Sequence, residues 1–226
     1  MVTVREDYLA NDHYYHIYSR SIAKYVVFND GREFSRMIEL IDLCRFKEFN
    51  YKFSRFKKLQ LSTQLEIALL IKETGTPLVE IVAYCIMPTH IHFLLKQAAE
   101  DGVTKFMSKV LNSYSKSFNT SHARSGPLWS SGFKNIMVRS DEQLLHLTRY
   151  IHLNPTSAGL VNKPEDWIYS SYREYIDGDK FKNHICQNDG LFDISAKKYR
   201  QFVNDRKAYQ RDLASIKSLL IDNYTG

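Results

Sequence analysis

This chain has little of what marks a secreted or membrane protein. It carries three cysteines in 226 residues, Cys44, Cys85 and Cys186, widely spaced and with no CxxC pair. An odd, scattered set argues against a disulfide framework and fits a reducing compartment. The apolar runs fall far short of the roughly 20 residues that a membrane span needs. Met1-Val2-Thr3-Val4-Arg5-Glu6-Asp7 lacks the apolar stretch of a signal peptide. These absences predict a cytoplasmic protein with no membrane partner. Internal repeats and low-complexity tracts are also missing.

What is present is ordinary for a folded domain, with two biases. The chain is 44% hydrophobic and 25% charged, and its length fits one large domain or a domain with an appendage. Aromatics are plentiful, with fifteen Tyr and thirteen Phe. The formal charge of +6 favours an anionic partner, of which nucleic acid is the commonest.

Periodicity orders the chain. His13 to Arg20 reads as an aromatic-rich strand. The turn signal Asn29-Asp30-Gly31 follows, and helical spacing then runs from Arg32 to about Phe49. Residues 50–75 read as an insertion. It holds a basic cluster (Lys52, Arg55, Lys57, Lys58) interleaved with Phe53 and Phe56, and a helix from Leu61 to Lys72. The cluster fits a nucleic-acid contact and a solvated helix face equally well. Leu78 to Met87 and His90 to Lys96 read as antiparallel strands, Val103 to Asn119 as a helix, and Lys134 to Arg139 as a short strand. Asp141-Glu142 opens a helix that Pro155 is expected to stop. Trp167 to Tyr175 is expected to be a short helix, and Lys197 to Leu220 carries a basic helical pattern.

The order β-α-(insert)-β-β-α-β-α predicts an α+β, ferredoxin-like split βαβ fold with the first and third strands at the sheet centre. The expected domains are 1–178, carrying the insertion at about 50–75, and a C-terminal helical extension over 179–226.

The third strand carries the chemistry. His90 and His92 are two apart and share one face of a strand. In a chain with eight histidines such a pair is weak evidence by itself. Tyr150 and Asn154 are four apart and share one helix face. Each has a plain structural reading: Tyr150 as core filler, and Asn154 before Pro155 as a helix stop. Taken together, two imidazoles and one amide oxygen can hold Mg²⁺ or Mn²⁺ with positions left for phosphate oxygens and water. A tyrosine one turn before the amide would stand beside that phosphate. A phenolate attacks phosphorus once the non-bridging oxygens are neutralised.

The run from Tyr84 to Leu95, with His90-Ile91-His92, resembles the HUH motif of single-strand DNA transposases. Arg149-Tyr150-Ile151-His152-Leu153-Asn154-Pro155, continuing to Val161, resembles the tyrosine motif of REP-associated tyrosine transposases, relatives of the IS200-like Y1 enzymes. Tyr15 to Arg20, Leu128 to Lys134 and Trp167 to Tyr172 are similar to three further family segments. The resemblance spans about Tyr14 to Tyr175 and leaves out the insertion and the tail. Where the family usually has an arginine before the aromatic of the strand-entry motif, this chain has Gly132.

The resemblance implies a metal-dependent single-stranded DNA endonuclease and strand transferase. Tyr150 would be the nucleophile, and His90, His92 and Asn154 the ligands of a divalent metal. The products would be a 5′-phosphotyrosine and a free 3′-OH, and the substrate single-stranded or hairpin DNA. Arg20, Lys105 and Lys134 are candidate DNA contacts. Relatives act as monomers or as homodimers, and the short loop at Arg139 to Asp141 favours a tyrosine helix packed on its own chain. Two alternatives stay open. One is a catalytically silent DNA-binding relative, and the other a hydrolase that uses the histidines with a metal-bound water.

Overall fold

A computed structural model describes residues 8–177, 184–187 and 190–205. Four strands, β1 (Tyr14–Arg20), β2 (Val79–Met87), β3 (His90–Gln97) and β4 (Lys134–Met137), form one antiparallel sheet in the spatial order β2-β3-β1-β4. The helices are α1 (Gly31–Cys44), α2 (Phe53–Phe56), α3 (Leu61–Thr74), α4 (Gly102–Ser121), α5 (Asp141–Ser157), α6 (Tyr172–Ile176) and α7 (Ala196–Asn204). The expected α+β, split βαβ order holds, and β1 and β3 occupy the sheet centre.

One face of the sheet is a dry core. Tyr15, Ile17, Ile91, Phe93 and Leu95 point to it and meet α1 and α4 through Met37, Leu40, Ile41, Phe106 and Val110. Asp30 caps α1, its carboxylate accepting from the amides of Arg32 and Glu33. Gly102 opens α4 where the backbones nearly touch. A Cβ there would lie 1.9 Å from the Leu78 carbonyl oxygen, so no other residue fits.

The other face is covered by α5, which packs mainly on β2 and β3. A bulge between Ile81 and Ala83 resets the alternation of β2. Ile81, Tyr84 and Ile86 therefore face the first core, while Val82, Ala83, Cys85 and Met87 face α5. Burial on both faces explains why β2 is almost continuously apolar. Behind α5, α7 joins α6 in a third cluster of Tyr172, Tyr175, Tyr199 and Val203.

Three elements depart from the periodicity. Helix α1 ends at Cys44 rather than near Phe49, because the chain turns off to pair with the segment before β2: Lys47 N–H donates to Thr76 O at 2.9 Å, and Phe46 bridges Pro77. Helix α5 does not stop at Pro155 but runs on to Ser157. A proline in the last turn removes one ladder donor, and the ladder resumes with Ala158 N–H on Asn154 O at 2.9 Å. Trp167 to Ser171 is not helical and runs along the outer edge of β2. Ile86 N–H donates to Tyr169 O and Ser171 N–H to Tyr84 O, both at 3.0 Å. An edge strand has backbone groups to satisfy, and this segment satisfies them; helix begins only at Tyr172. The basic pattern expected to Leu220 is helical in α7 as far as Asn204; from 206 onwards it lies outside the described residues. No helix among the described residues is long and apolar enough to cross a membrane.

Candidate active site

Strand pairing sets out the site in rows. Across β1 and β3, Tyr18 stands opposite His92 and Arg20 opposite His90. Across β1 and β4, Tyr18 stands opposite Lys134 and His16 opposite Ile136. Opposed residues share a face. Lys134, Tyr18 and His92 thus form one row, Arg20 and His90 the next, and His16 lies one row further back. The alternation that sends Ile91 and Phe93 into the dry core sends these groups to the α5 side.

The two predicted histidines are neighbours, with ring centroids 5.0 Å apart. Each has a partner at Nδ1. Thr89 Oγ1 lies 2.9 Å from His90 Nδ1. His16 Nε2 lies 3.1 Å from His92 Nδ1, with the two rings stacked. His92 is almost fully buried, and its pKa lies well below the usual imidazole value. Burial is the main cause, followed by the charges of His90, His16 and Arg20. A neutral imidazole is the form that binds metal.

Helix α5 delivers the tyrosine. Leu144, Leu147 and Ile151 anchor it on Val82, Cys85, Met87 and Leu94. Tyr150, on the same side, sets its ring edge-on to His92 at 5.7 Å between centroids and to His16 at 6.1 Å. Asn154 follows one turn later and is buried. Its Nδ2 donates to Tyr150 O at 3.3 Å, and Oδ1 is the amide's acceptor. Among the described residues, no group of three or more His, Cys, Asp or Glu side chains is arranged to hold a metal. The donor types on this side of the sheet are the two imidazoles, with the Asn154 amide one turn beyond Tyr150. That set suits a divalent ion that takes its remaining ligands from phosphate and water.

The back of α5 is held as firmly as its front. His152 is fully buried between Tyr199 Oη at 2.7 Å and Ser171 Oγ at 2.8 Å. Burial lowers its pKa to about 3. Tyr199 Oη also donates to Thr148 Oγ1 at 2.9 Å. Arg149, fully buried, donates to the Asp205 carbonyl and lies over Phe202 at 4.7 Å. Thus α7, from the segment read as an extension, clamps the helix that carries Tyr150 onto its own sheet.

The fold brings together His90, His92, Tyr150, Arg20 and Lys134, with Asn154 one turn from the tyrosine. Lys105 is not among them. It lies on α4, against the opposite face, where its ammonium donates to Glu100 O at 2.9 Å. Sequence reasoning missed His16. The signal was present, since His16 is in phase with Arg20 on a strand placed at the sheet centre. Gly132 lies in the open, with nothing within 4 Å of an added Cβ, and its carbonyl accepts from Ser19 Oγ at 2.9 Å.

The family model described as "Transposase IS200 like" matches residues 49–154. Over that stretch, a little under half of the chain, the sequence is similar to the IS200-like transposases. The match includes both histidines, Tyr150 and Asn154. It also takes in the whole of the 50–75 insertion, which the motif resemblance leaves out. More narrowly, the chain is 29% identical over 109 residues to a Haemophilus influenzae protein described as a REP-associated tyrosine transposase. That alignment takes in 43% of this chain and spans 61% of the relative's length. In fold, the chain is similar to a REP-associated tyrosine transposase solved bound to a REP hairpin. The TM-score is 0.51 at 15% identity, over 86% of this chain and 96% of the other.

Proposed function

We propose that this protein cuts and rejoins single-stranded DNA, in hairpin or repeat form, through a covalent link to Tyr150. The observation that carries the reading is the edge-on packing of Tyr150 beside His92 and His16 at 5.7 and 6.1 Å, from a helix seated on the same chain's sheet. The match of residues 49–154 to the IS200-like family model supports it, as does the REP hairpin held by the protein of similar fold.

His90 and His92 would hold a divalent metal through Nε2, since Nδ1 of each is oriented by Thr89 or His16. Asn154 would add Oδ1. When bound, the metal would neutralise charge on the scissile phosphate. The chain's own groups do the rest. Buried packing keeps His92 neutral, α5 carries the phenol to the histidine row, and Arg20 and Lys134 flank that row to meet neighbouring phosphates. Attack by the Tyr150 oxygen on phosphorus forms the Tyr–O–P bond as the P–O3′ bond breaks; the phenol gives up its proton to solvent, and the leaving 3′ oxygen takes one up from solvent. A 3′-OH attacking the same phosphorus reverses the step and returns the tyrosine. The energy of the phosphodiester is kept, so no nucleotide triphosphate is consumed. Because α7 and the β2–β3 surface both hold α5, the tyrosine acts in cis and a monomer is sufficient. A cytoplasmic location fits three buried, free cysteines.

The test is incubation with Mn²⁺ and end-labelled hairpin DNA, followed by denaturing electrophoresis. A protein-linked label that disappears with Tyr150→Phe supports the reading. Hairpin binding without an adduct under any divalent metal would make the protein a silent DNA-binding relative. Full cleavage by Tyr150→Phe would make it a metal hydrolase.

A further inference from the structure

The basic cluster in the insertion takes no part in the site above, and the fold breaks it up. Phe53 and Phe56 enter the core. Lys57 pairs with Glu39 at 3.0 Å. Lys52 instead borders a cavity of about 390 Å³ between α1, α2 and α4. Arg36 of α1 and Lys116 of α4 border it too, with the hydroxyls of Ser113 and Ser117 between them. Among the described residues no carboxylate lines this cavity. Arg36, Lys52 and Lys116 form no ion pair among those residues either, and Glu39, the carboxylate whose charge acts on Arg36, is taken by Lys57. The Nε of Arg36 is buried with no hydrogen-bond partner, and the guanidinium lies over the Phe53 ring at 5.1 Å. Arg36 as a whole borders the cavity, and an anion seated there would pair with its guanidinium charge.

The ligand's chemistry follows from what the walls offer. They present cations and hydroxyl donors, which suit phosphate oxygens. They offer no open aromatic surface for a base, because Phe53 is only 4% exposed and is covered by Arg36. Phosphates would be held here without reading sequence. The cavity lies on the α1 and α4 layer, with the sheet between it and the histidine row.

We propose that the α1–α2–α4 cavity is a second nucleic-acid contact, which grips the backbone phosphates of a strand whose other part reaches the histidine face. Sheet and helix layers together put the two contacts on the order of 20 Å apart. A hairpin with a single-stranded flank is long enough to touch both. The assignment rests on the cavity's own walls and stands whether or not Tyr150 is the nucleophile.

Fluorescence anisotropy with a labelled 30-nucleotide hairpin, over a series of salt concentrations, tests it. The Lys52→Ala/Lys116→Ala protein should bind about tenfold or more weakly. Its log K against log salt slope should be shallower by about 0.7 to 0.9 for each phosphate no longer neutralised. Arg36→Lys, which keeps the charge but loses the fork, should fall between the two. Lys58→Ala, exposed and outside the cavity, should match the wild type. An unchanged affinity and slope in the double variant would overturn the proposal. So would an equal loss from Lys58→Ala, which would mean a diffuse positive surface. Titration calorimetry with inorganic phosphate separates the remaining source. Tight phosphate binding that the double variant abolishes, with hairpin affinity intact, would make this a free-anion site and also overturn the nucleic-acid assignment.

Discussion

Strands β1 and β3 send Tyr15, Ile17, Ile91, Phe93 and Leu95 to one face of the sheet and His16, Tyr18, His90 and His92 to the other. The first set meets α1 and α4 and is sealed from solvent. The second meets α5, which lies mainly over β2 and β3, so the row continues towards Arg20 and Lys134 where cover is partial. Adjacent residues on the same two strands thus serve different ends. The dry face carries the larger buried cluster of the sheet, while the α5 face sets buried histidines beside the apolar seat of α5. The histidines need only be rigid, and central strands anchored from behind make them so.

That contrast is open to attack from either side. Tyr150→Phe should leave the melting temperature unchanged and reduce the covalent adduct by about three orders of magnitude or more, measured by gel shift of labelled DNA. Phe93→Ala, on the dry face, should cost about 3–5 kcal/mol of unfolding free energy in a denaturant titration. His90→Ala, three positions earlier and on the other face, should cost far less stability while abolishing metal-dependent cleavage. If the two variants destabilise equally, the division of labour between faces is wrong.

The clamp behind α5 predicts a pH dependence. His152 has its folded-state pKa depressed to about 3 by burial, against the usual 6.5. Its contribution is therefore present in full above about pH 6.5 and is lost as pH falls towards 3, because the unfolded chain takes up the proton first. Thermal melts across that range should fall by an amount on the order of a few kcal/mol, and His152→Gln should flatten the decline. His16→Gln should lower Mn²⁺ affinity by about 10- to 100-fold, measured by calorimetry, with cleavage recovered at higher Mn²⁺. A filler residue would show a stability loss with no metal dependence. Lys105→Ala should change hairpin affinity by less than about twofold, since Lys105 is bonded to Glu100 O and borders neither the histidine row nor the α1–α2–α4 cavity. A larger loss would return it to the DNA-contact set.

Much of this was legible in one dimension. The periodicity of Val79–Met87 and His90–Gln97 and the acidic opening of α5 are local signals, and each forms the expected element close to the expected place, while Asn29-Asp30-Gly31, read as a turn, supplies the cap and first residue of α1. Pro155 misled because a proline's effect depends on its distance from the helix end. In the last turn it costs one donor and does not break the helix. Trp167 to Ser171 misled because its aromatic spacing serves the edge of β2, a demand made by another segment. His16 was passed over because a single histidine on a strand becomes informative only when its neighbour across the ladder is known. Lys105 stands away from the histidine row for the converse reason, since a lysine's side of the molecule follows from which face its helix covers.

The sequence alone therefore determined the order and type of the elements, the phase of the histidine pair on its strand and the four-residue spacing of Tyr150 and Asn154. These depend on backbone periods of 2 and 3.6 residues, which are properties of neighbours in the chain. Only the tertiary structure decided that His16 backs His92 and that α7 holds the tyrosine helix on its own sheet. It also decided that Lys52, Arg36 and Lys116, drawn from three separate segments, border one cavity. Such pairings join separate segments of the chain, as with His16 and His92 or Lys52 and Lys116, and burial and strand register set them, which no local pattern contains.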